Sequence, residues 1–472
     1  MMTDRKSDTN VLLITPPQGL WKGRAEKPWN STQPLGLAYV AASVRAAGHP
    51  VRVIDAYSQG TPGDELHKQI RNFAPRIVGI SALTPQWPDA QQAAGIVKGI
   101  NRDILTVVGG PHVTALPEEA AGDPNVDVAV IGEGERAMRD ICDAVAADTD
   151  LAQVAGIVLG RGGQPEFTAP RPRNTELDNL VFPAHDLLPE PSFYNPFPSW
   201  GRKGQFSSII SGRGCPYNCS FCDVTTQQGR KYRLRSAENV VDELVWLNQT
   251  FGVTMFSFRD ASMICDRDRL MRMLALIRER RLDIVWTCNA RANEIDPEML
   301  AAMREAGCRR LQYGIEVGNA EMLRSIKKIT REKVAEAVRQ TRAARISAHG
   351  YFIFGFIEET AATIEETIEF ARRLELDSAS FAVMVPYPGT QEFERFRAGG
   401  LLLTEDWRQY SIMGRPVYRQ PNVTSEELLR ATHRAYRRFY LRPRIIGRHL
   451  RKMSSPWALR EYVRAARKTF LN

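Results

Sequence analysis

Cys215, Cys219 and Cys222 stand within "SGRGCPYNCSFC" at the spacing C-x3-C-x2-C, in a chain of 472 residues with only seven cysteines. An odd total and one tight trio argue against disulfide pairing and for metal or redox chemistry. Thiolates are the ligands of iron-sulfur clusters, and a cubane cluster has four irons to hold. Three cysteines from one loop leave one iron open, and an open coordination position separates a catalytic metal site from a structural one. Gly212 and Gly214 permit backbone turns that bring a loop around such a cluster, and Pro216 and Asn218 suit a tight turn. The alternatives are a structural zinc site or buried free thiols. Zinc would want a fourth Cys or His, and none besides the trio lies between Gly201 and Ala261. Cys142, Cys265, Cys288 and Cys308 have no ligand-like spacing and read as small buried thiols.

The loop needs a scaffold, and the apolar patterning supplies two. From Asn10 to about Asp148, short apolar runs ("VLLI", "VRVID", "RIVGIS", "ILTVVGG", "VDVAVIG") alternate with amphipathic stretches such as "PLGLAYVAASVRAAG". Five βα units of this kind predict a doubly wound parallel-sheet domain over 1–148, with its ligand at the carboxyl ends of the strands. Residues 149–204, rich in Pro, Asn and Asp, read as a linker. A second alternation over 205–395 has strand candidates "FSSIIS", "VTMFSF", "DIVWTCN", "RRLQYGIE", "SAHGYFIFG" and "SASFAVMV". Six such units predict a partial (β/α)6 barrel of the TIM type, with the cysteine loop directly after its first strand. Residues 396–472 read as a small, basic, helical C-terminal region.

Composition narrows the setting. Apolar residues at 43% and charged residues at 25% describe an ordinary globular protein, and the early run "VLLI" is too short for a signal peptide or a membrane span. The expectation is a cytoplasmic protein. Much of the net charge of +9 comes from Arg430 to Asn472, where Glu461 is the sole acidic residue. Such a tail could meet nucleic acid, an anionic membrane or an anionic substrate. Leu429, Tyr436, Phe439 and Tyr440 recur there at helical spacing, which suits either peripheral membrane contact or packing against the barrel, the second being preferred.

The C-x3-C-x2-C spacing, with Phe221 just before the last cysteine, resembles the signature of the radical S-adenosylmethionine (SAM) enzymes. That resemblance implies a 4Fe-4S cluster held by Cys215, Cys219 and Cys222, whose open iron binds SAM, and a 5'-deoxyadenosyl radical released by one-electron cleavage. It also implies a low-potential electron donor of the flavodoxin or ferredoxin type. Glu316 in "YGIEVGN" falls where family members often contact SAM, Arg291 in "CNAR" is a candidate carboxylate partner, and "GYFIFGFIEET" resembles the adenine-contact region. "FSFRDAS" occupies the place of the family's Gly-Gly-Glu motif without spelling it.

The first domain resembles the cobalamin-binding domain that precedes the barrel in a large subfamily, through "PLGLAYVAASVRAAGHPVRVID", "VGISALTPQ", "VVGGPHVTALPEEA" and "VIGEGE". Gly109, Gly110, Gly132 and Gly134 lie just past strand ends, where missing side chains let backbone approach a large flat ligand. Ser81 and Thr84 are candidate partners for the nucleotide tail. The loop "TPPQGLW" lacks the cobalt-ligating His of methionine synthase-type domains, so the cobalt is expected to lack a protein imidazole; His112 is the one tempting substitute, with a pocket-lining or capping role preferred. The resemblance implies methylation of an unactivated carbon in a small-molecule or lipid-like substrate, one SAM supplying the methyl group to cobalamin and a second the radical. Oxidative cyclisation or ring rearrangement is the alternative. RNA modification is disfavoured, because tRNA methylthiotransferases carry three cysteines in their N-terminal domain and residues 1–141 here have none.

Overall fold

The structure, a computed structural model, describes residues 9–20, 28, 31–161, 164–194, 204–412 and 414–452. The last part of the predicted linker and the basic tail beyond Lys452 lie outside the described residues. Strands β1 (Val11–Thr15), β2 (Val51–Asp55), β3 (Ile77–Ser81), β4 (Leu105–Gly109) and β5 (Val128–Val130) form a parallel sheet in the order 2-1-3-4-5. Alternation along β1 explains why both faces need cover. Leu12 and Ile14 enter one apolar cluster, and Val11 and Leu13 enter the other. The second cluster is closed by helices α1 (Leu35–Ala46) and α2 (Gly134–Ala147). This strand order reverses between β1 and β3, the switch point at which open α/β sheets bind ligands.

The sheet does not stop at residue 148. β6 (Ile157–Arg161) and β7 (Gln164–Phe167) add to it antiparallel beside β5, so the start of the predicted linker belongs to the first domain. Hydrogen bonds along the edge of β5 are what this hairpin satisfies, a need that the polar run around it conceals.

The second sheet holds β8 (Gln205–Ile209), β11 (Val253–Phe258), β12 (Val285–Ala290), β13 (Cys308–Glu316), β14 (Ser347–Phe354) and β15 (Ser378–Val383), all parallel and in sequential order. Between β8 and β11 the two-residue strands β9 (Gly212–Arg213) and β10 (Arg233–Leu234) pair antiparallel and close the cysteine loop at its base. Helix α3 (Ala320–Lys327) follows β13. In the C-terminal region, helix α4 (Ser425–Tyr440) starts at a Thr424/Glu427 capping box and lies against β15. Phe439 is buried, Tyr436 accepts a hydrogen bond from the Phe381 amide, and Tyr440 accepts one from the Ala379 amide. The predicted apolar stripe is therefore used against the barrel. No helix among the described residues is long and apolar enough to cross a membrane.

Candidate active site

The cysteine loop leaves the first barrel strand through a fixed root. The buried Asp260, just past β11, accepts hydrogen bonds from the Ser211 amide and hydroxyl at 3.0 Å. Arg269 donates to the carbonyls of Ser211 (2.8 Å) and Arg235 (2.6 Å). Gly214 turns with φ +93°, and a Cβ there would stand 2.4 Å from the Lys231 carbonyl oxygen, so only glycine fits. The far side of the loop is held from three places: Ser220 O by the Glu392 amide (3.1 Å), the Thr226 hydroxyl on Gly389 O (2.6 Å), and the Gln227 amide on Pro111 O of the first domain (2.8 Å).

All three thiols are half-buried and unbridged. Each sulfur has an N–H donor: the Tyr217 amide for Cys215, the Val224 amide for Cys222, and Arg291 Nη1, 3.9 Å from Cys219 Sγ. Such donors favour the thiolate. Burial works the other way. It raises the Cys215 thiol and pushes Cys222 up to about 12, with Asp223, Cys219 and Cys215 adding to the latter. Three thiolates this close ask for a cation between them. Among the described residues no three His, Cys, Asp or Glu side chains close on a single ion. Three thiols from one loop can serve three separate irons of a cluster. The donor set fits a 4Fe-4S cluster.

Around the loop, Phe221 packs edge-on against Phe356 (5.7 Å), which lies in "GFIEET" just past β14. The Glu359 carboxylate accepts from the Gly355 and Phe356 amides and fixes that turn; burial raises its pKa to about 7. Arg291 stacks on Tyr217 at 3.6 Å and donates to Lys327 O, while the Tyr217 hydroxyl donates to Glu294 (2.5 Å). Its guanidinium thus braces the cysteine loop and is less available to a ligand carboxylate than the sequence suggests. Glu316 ends β13 at φ +68°, beside a register shift against β14, and is ion-paired with Lys327 of α3 at 3.2 Å. Burial raises its pKa against the pull of Lys327 and Arg291. A non-glycine residue held there stores strain, a pattern concentrated at functional sites.

In the first domain a cleft of about 250 Å³ opens at the carboxyl ends of β3, β4 and β5. Ser81, Gly109, Gly110, Gly132 and Gly134 line it, as expected, with Gly36, Tyr39 and Val40 of α1 and Met138 of α2. At Gly36 and Gly132 nothing stands within 4 Å of where a Cβ would be, so side chains there would project into open space. The apolar, glycine-lined cleft fits part of cobalamin, such as its nucleotide arm. Two expected residues are absent from it. Thr84 is buried in the turn Thr84–Gln86, which packs against the turn Trp407–Gln409. His112 is fully buried between Trp87 (stacked, 4.9 Å) and Trp407 (edge-on, 5.4 Å), with its Nε2 3.8 Å from Glu119 Oε1. The helix that begins at Pro111 turns this ring inward, toward the C-terminal region. Among the described residues that line the cleft there is no histidine.

A clamp of ion pairs joins the two sites. In "GEGE" all four residues line the cleft, and the glutamates also meet the cysteine loop's root. Glu135 pairs with Arg213 at 2.5 Å, and Glu133 pairs with Arg233 at 2.6 Å and Arg213 at 3.5 Å. Arg213 also lies over the Tyr39 ring at 5.2 Å. Two acids spaced i, i+2 opposite two arginines that flank the cysteines were the only signal.

Known proteins share this arrangement. A B12 binding domain model matches residues 23–142, and the radical SAM superfamily model matches residues 209–371. An uncharacterised methyltransferase of Pyrococcus horikoshii is 35% identical over 92% of this chain and 93% of its own. The anaerobic magnesium-protoporphyrin IX monomethyl ester cyclase of Rubrivivax gelatinosus is 30% identical over 86% of this chain and 74% of its own. The radical SAM methyltransferase TsrM of Kitasatospora setae, solved with cobalamin and a [4Fe-4S] cluster bound, superposes with a TM-score of 0.70 over 83% of this chain and 78% of that one, at 18% identity, and so shares the fold. The chain belongs to the cobalamin-binding radical SAM enzymes, in which a B12-binding domain precedes a radical SAM barrel.

Proposed function

We propose that the protein methylates an unactivated carbon of a small molecule, with SAM at the cysteine loop and cobalamin at the glycine cleft. One observation carries this reading: Arg213, Gln227 and Gln228, which flank the three cysteines, also form a wall of the cleft. The two places therefore adjoin one another across these residues. Together the cofactors supply a carbon radical and a transferable methyl group. The chain's own share is placement. The three thiolates hold the cluster and leave one iron free, Arg291 braces Cys219, and Phe221 against Phe356 forms an apolar wall that keeps water out. Glu316, with Lys327, is positioned to accept a hydrogen bond from SAM. The methyltransferase of Pyrococcus horikoshii supports the assignment; the cyclase of Rubrivivax gelatinosus supports oxidative cyclisation as the second reading.

The deciding experiment is anaerobic: reconstituted protein with cobalamin, SAM and a low-potential reductant, scored for S-adenosylhomocysteine and 5'-deoxyadenosine. Both products together are the expected result. Deoxyadenosine alone would overturn methylation in favour of the cyclase reading. The physiological reductant in this proposal is a flavodoxin- or ferredoxin-type donor in the cytoplasm, where thiols stay reduced. Because the stripe on α4 is spent on the barrel, full-length protein is expected to stay at the bottom of a gradient when floated with anionic liposomes. Co-flotation would restore peripheral membrane contact and a lipid substrate.

A further inference from the structure

The interior of a TIM-type barrel is ordinarily a packed layer of branched apolar side chains. Here the strand faces are sorted the other way. Along β13, β14 and β15 the buried residues Leu311, Tyr313, Phe352, Phe354 and Phe381 belong to the main apolar cluster. The intervening Arg310, Gln312, Ser378 and Ser380 are half-buried and Tyr351 is 37% exposed. With a period of two, these polar residues share the concave face. They are tied to one another: the Tyr351 hydroxyl donates to Gln312 Oε1 (2.7 Å), and His349 meets Arg310 (2.8 Å), Ser378 (2.8 Å) and Ser380 (3.2 Å). A polar strand face with accessible side chains can receive a polar ligand.

Arg259 stands at its mouth, directly past β11. Its one side-chain hydrogen bond among the described residues is from Nε to the Ser208 hydroxyl, at 3.3 Å, and it has no carboxylate partner there. It is exposed to solvent. The nearby acids are engaged elsewhere. Asp260 faces Ser211, and Glu316 is paired with Lys327. A solvent-exposed guanidinium with no carboxylate partner among the described residues has N–H donors free to pair with an arriving anion.

We propose that Arg259 binds an anionic oxygen group of the substrate, a carboxylate or a phosphate, with Gln312 and Tyr351 as its neutral neighbours in the barrel. Because Tyr351 donates to Gln312 Oε1, the Gln312 amide N–H groups are left to donate to the same anion. The inference rests on the barrel being the substrate site of a radical enzyme, and it narrows the substrate class to acids and phosphate esters.

The test is calorimetric titration of the oxidised holoenzyme, with cobalamin and SAM bound, using inorganic phosphate in one series and glutarate in another. Arg259→Gln, checked for fold by circular dichroism and cobalamin absorbance, is expected to weaken the favoured anion about tenfold or more. Arg259→Lys keeps the charge and is expected to retain part of the affinity. Ser208→Ala removes the packing hydrogen bond and is expected to bind like wild type. Tighter phosphate points to a phosphate ester, and tighter glutarate to a carboxylate. Binding of neither anion, binding unchanged in Arg259→Gln, or an equal loss in Ser208→Ala would overturn the site. Wild-type 5'-deoxyadenosine formation under reductant is measured beside it. Its absence would sink the radical-enzyme reading, whereas its presence without anion binding would sink the Arg259 site alone.

Discussion

Alanine at Cys215, Cys219 or Cys222 is expected to reduce 5'-deoxyadenosine formation to background in the reconstituted enzyme, with cobalamin still bound. Each thiol in the trio would serve one iron, so no spare ligand covers a loss. The nearest other candidate is Cys265, close enough to feel the charge of Cys215 but standing past β11, outside the C-x3-C-x2-C loop. The cysteine side chains do not line the glycine cleft, so cobalamin absorbance should be retained while iron and sulfide content fall. Deoxyadenosine production surviving any of the three substitutions would refute the cluster assignment.

The second large effect should come from the clamp. Arg213→Met leaves the buried Glu135 without its cation, and breaking one side of such a pair costs about 3–5 kcal/mol. The melting temperature should fall, and cobalamin affinity with it, because Arg213, Glu133 and Glu135 also line the cleft. Combining Arg213→Met with Glu135→Leu removes both charges and should recover much of the stability. The pH profile carries a further signature. Burial alone would raise the Glu133 carboxyl, but Arg213, the Asn174 amide and Arg233 hold it below the ordinary carboxylate value. A group depressed in the folded state lends stability that is full above its unfolded pKa and is lost as pH falls through the folded one. In Arg213→Met the folded value rises toward the unfolded one, so the acid-side loss from Glu133 should be smaller and complete at higher pH. Coincident melting curves for variant and wild type would remove the clamp from the account.

Much of this was legible in the residue pattern, for a physical reason. Strands of the first sheet, buried on both faces, write themselves as aliphatic runs, those of the barrel alternate apolar with polar residues, and every run from "VLLI" to "SASFAVMV" matches a strand of the two sheets. The cysteine spacing and the strand-end glycines were equally visible, since only thiols and missing side chains serve those needs. What was hidden depends on partners distant in sequence. His112 looks like a ligand until Trp87 and Trp407 are found on either side of it, and Thr84 looks like a pocket residue until its turn meets the C-terminal region. Glu133 and Glu135 look like ordinary helix-start acids until Arg213 and Arg233 face them. Arg259 sat in a motif position that the family pattern would fill differently, so no pattern could flag it. The β6–β7 hairpin was missed because an edge pairing carries little apolar signal.

The grip on the far side of the cysteine loop also sets an order in time. Thr226 closes onto Gly389, 163 residues later in the chain, and Ser220 onto Glu392 beside it. A ribosome adding residues at the usual pace needs on the order of ten seconds to span that interval. Through that interval the three thiols are already made while the part that seats them is not. The thiols are therefore exposed to oxidation or to stray metal for as long as the barrel is being completed, and the finished pocket forms only when the strand that comes last has docked.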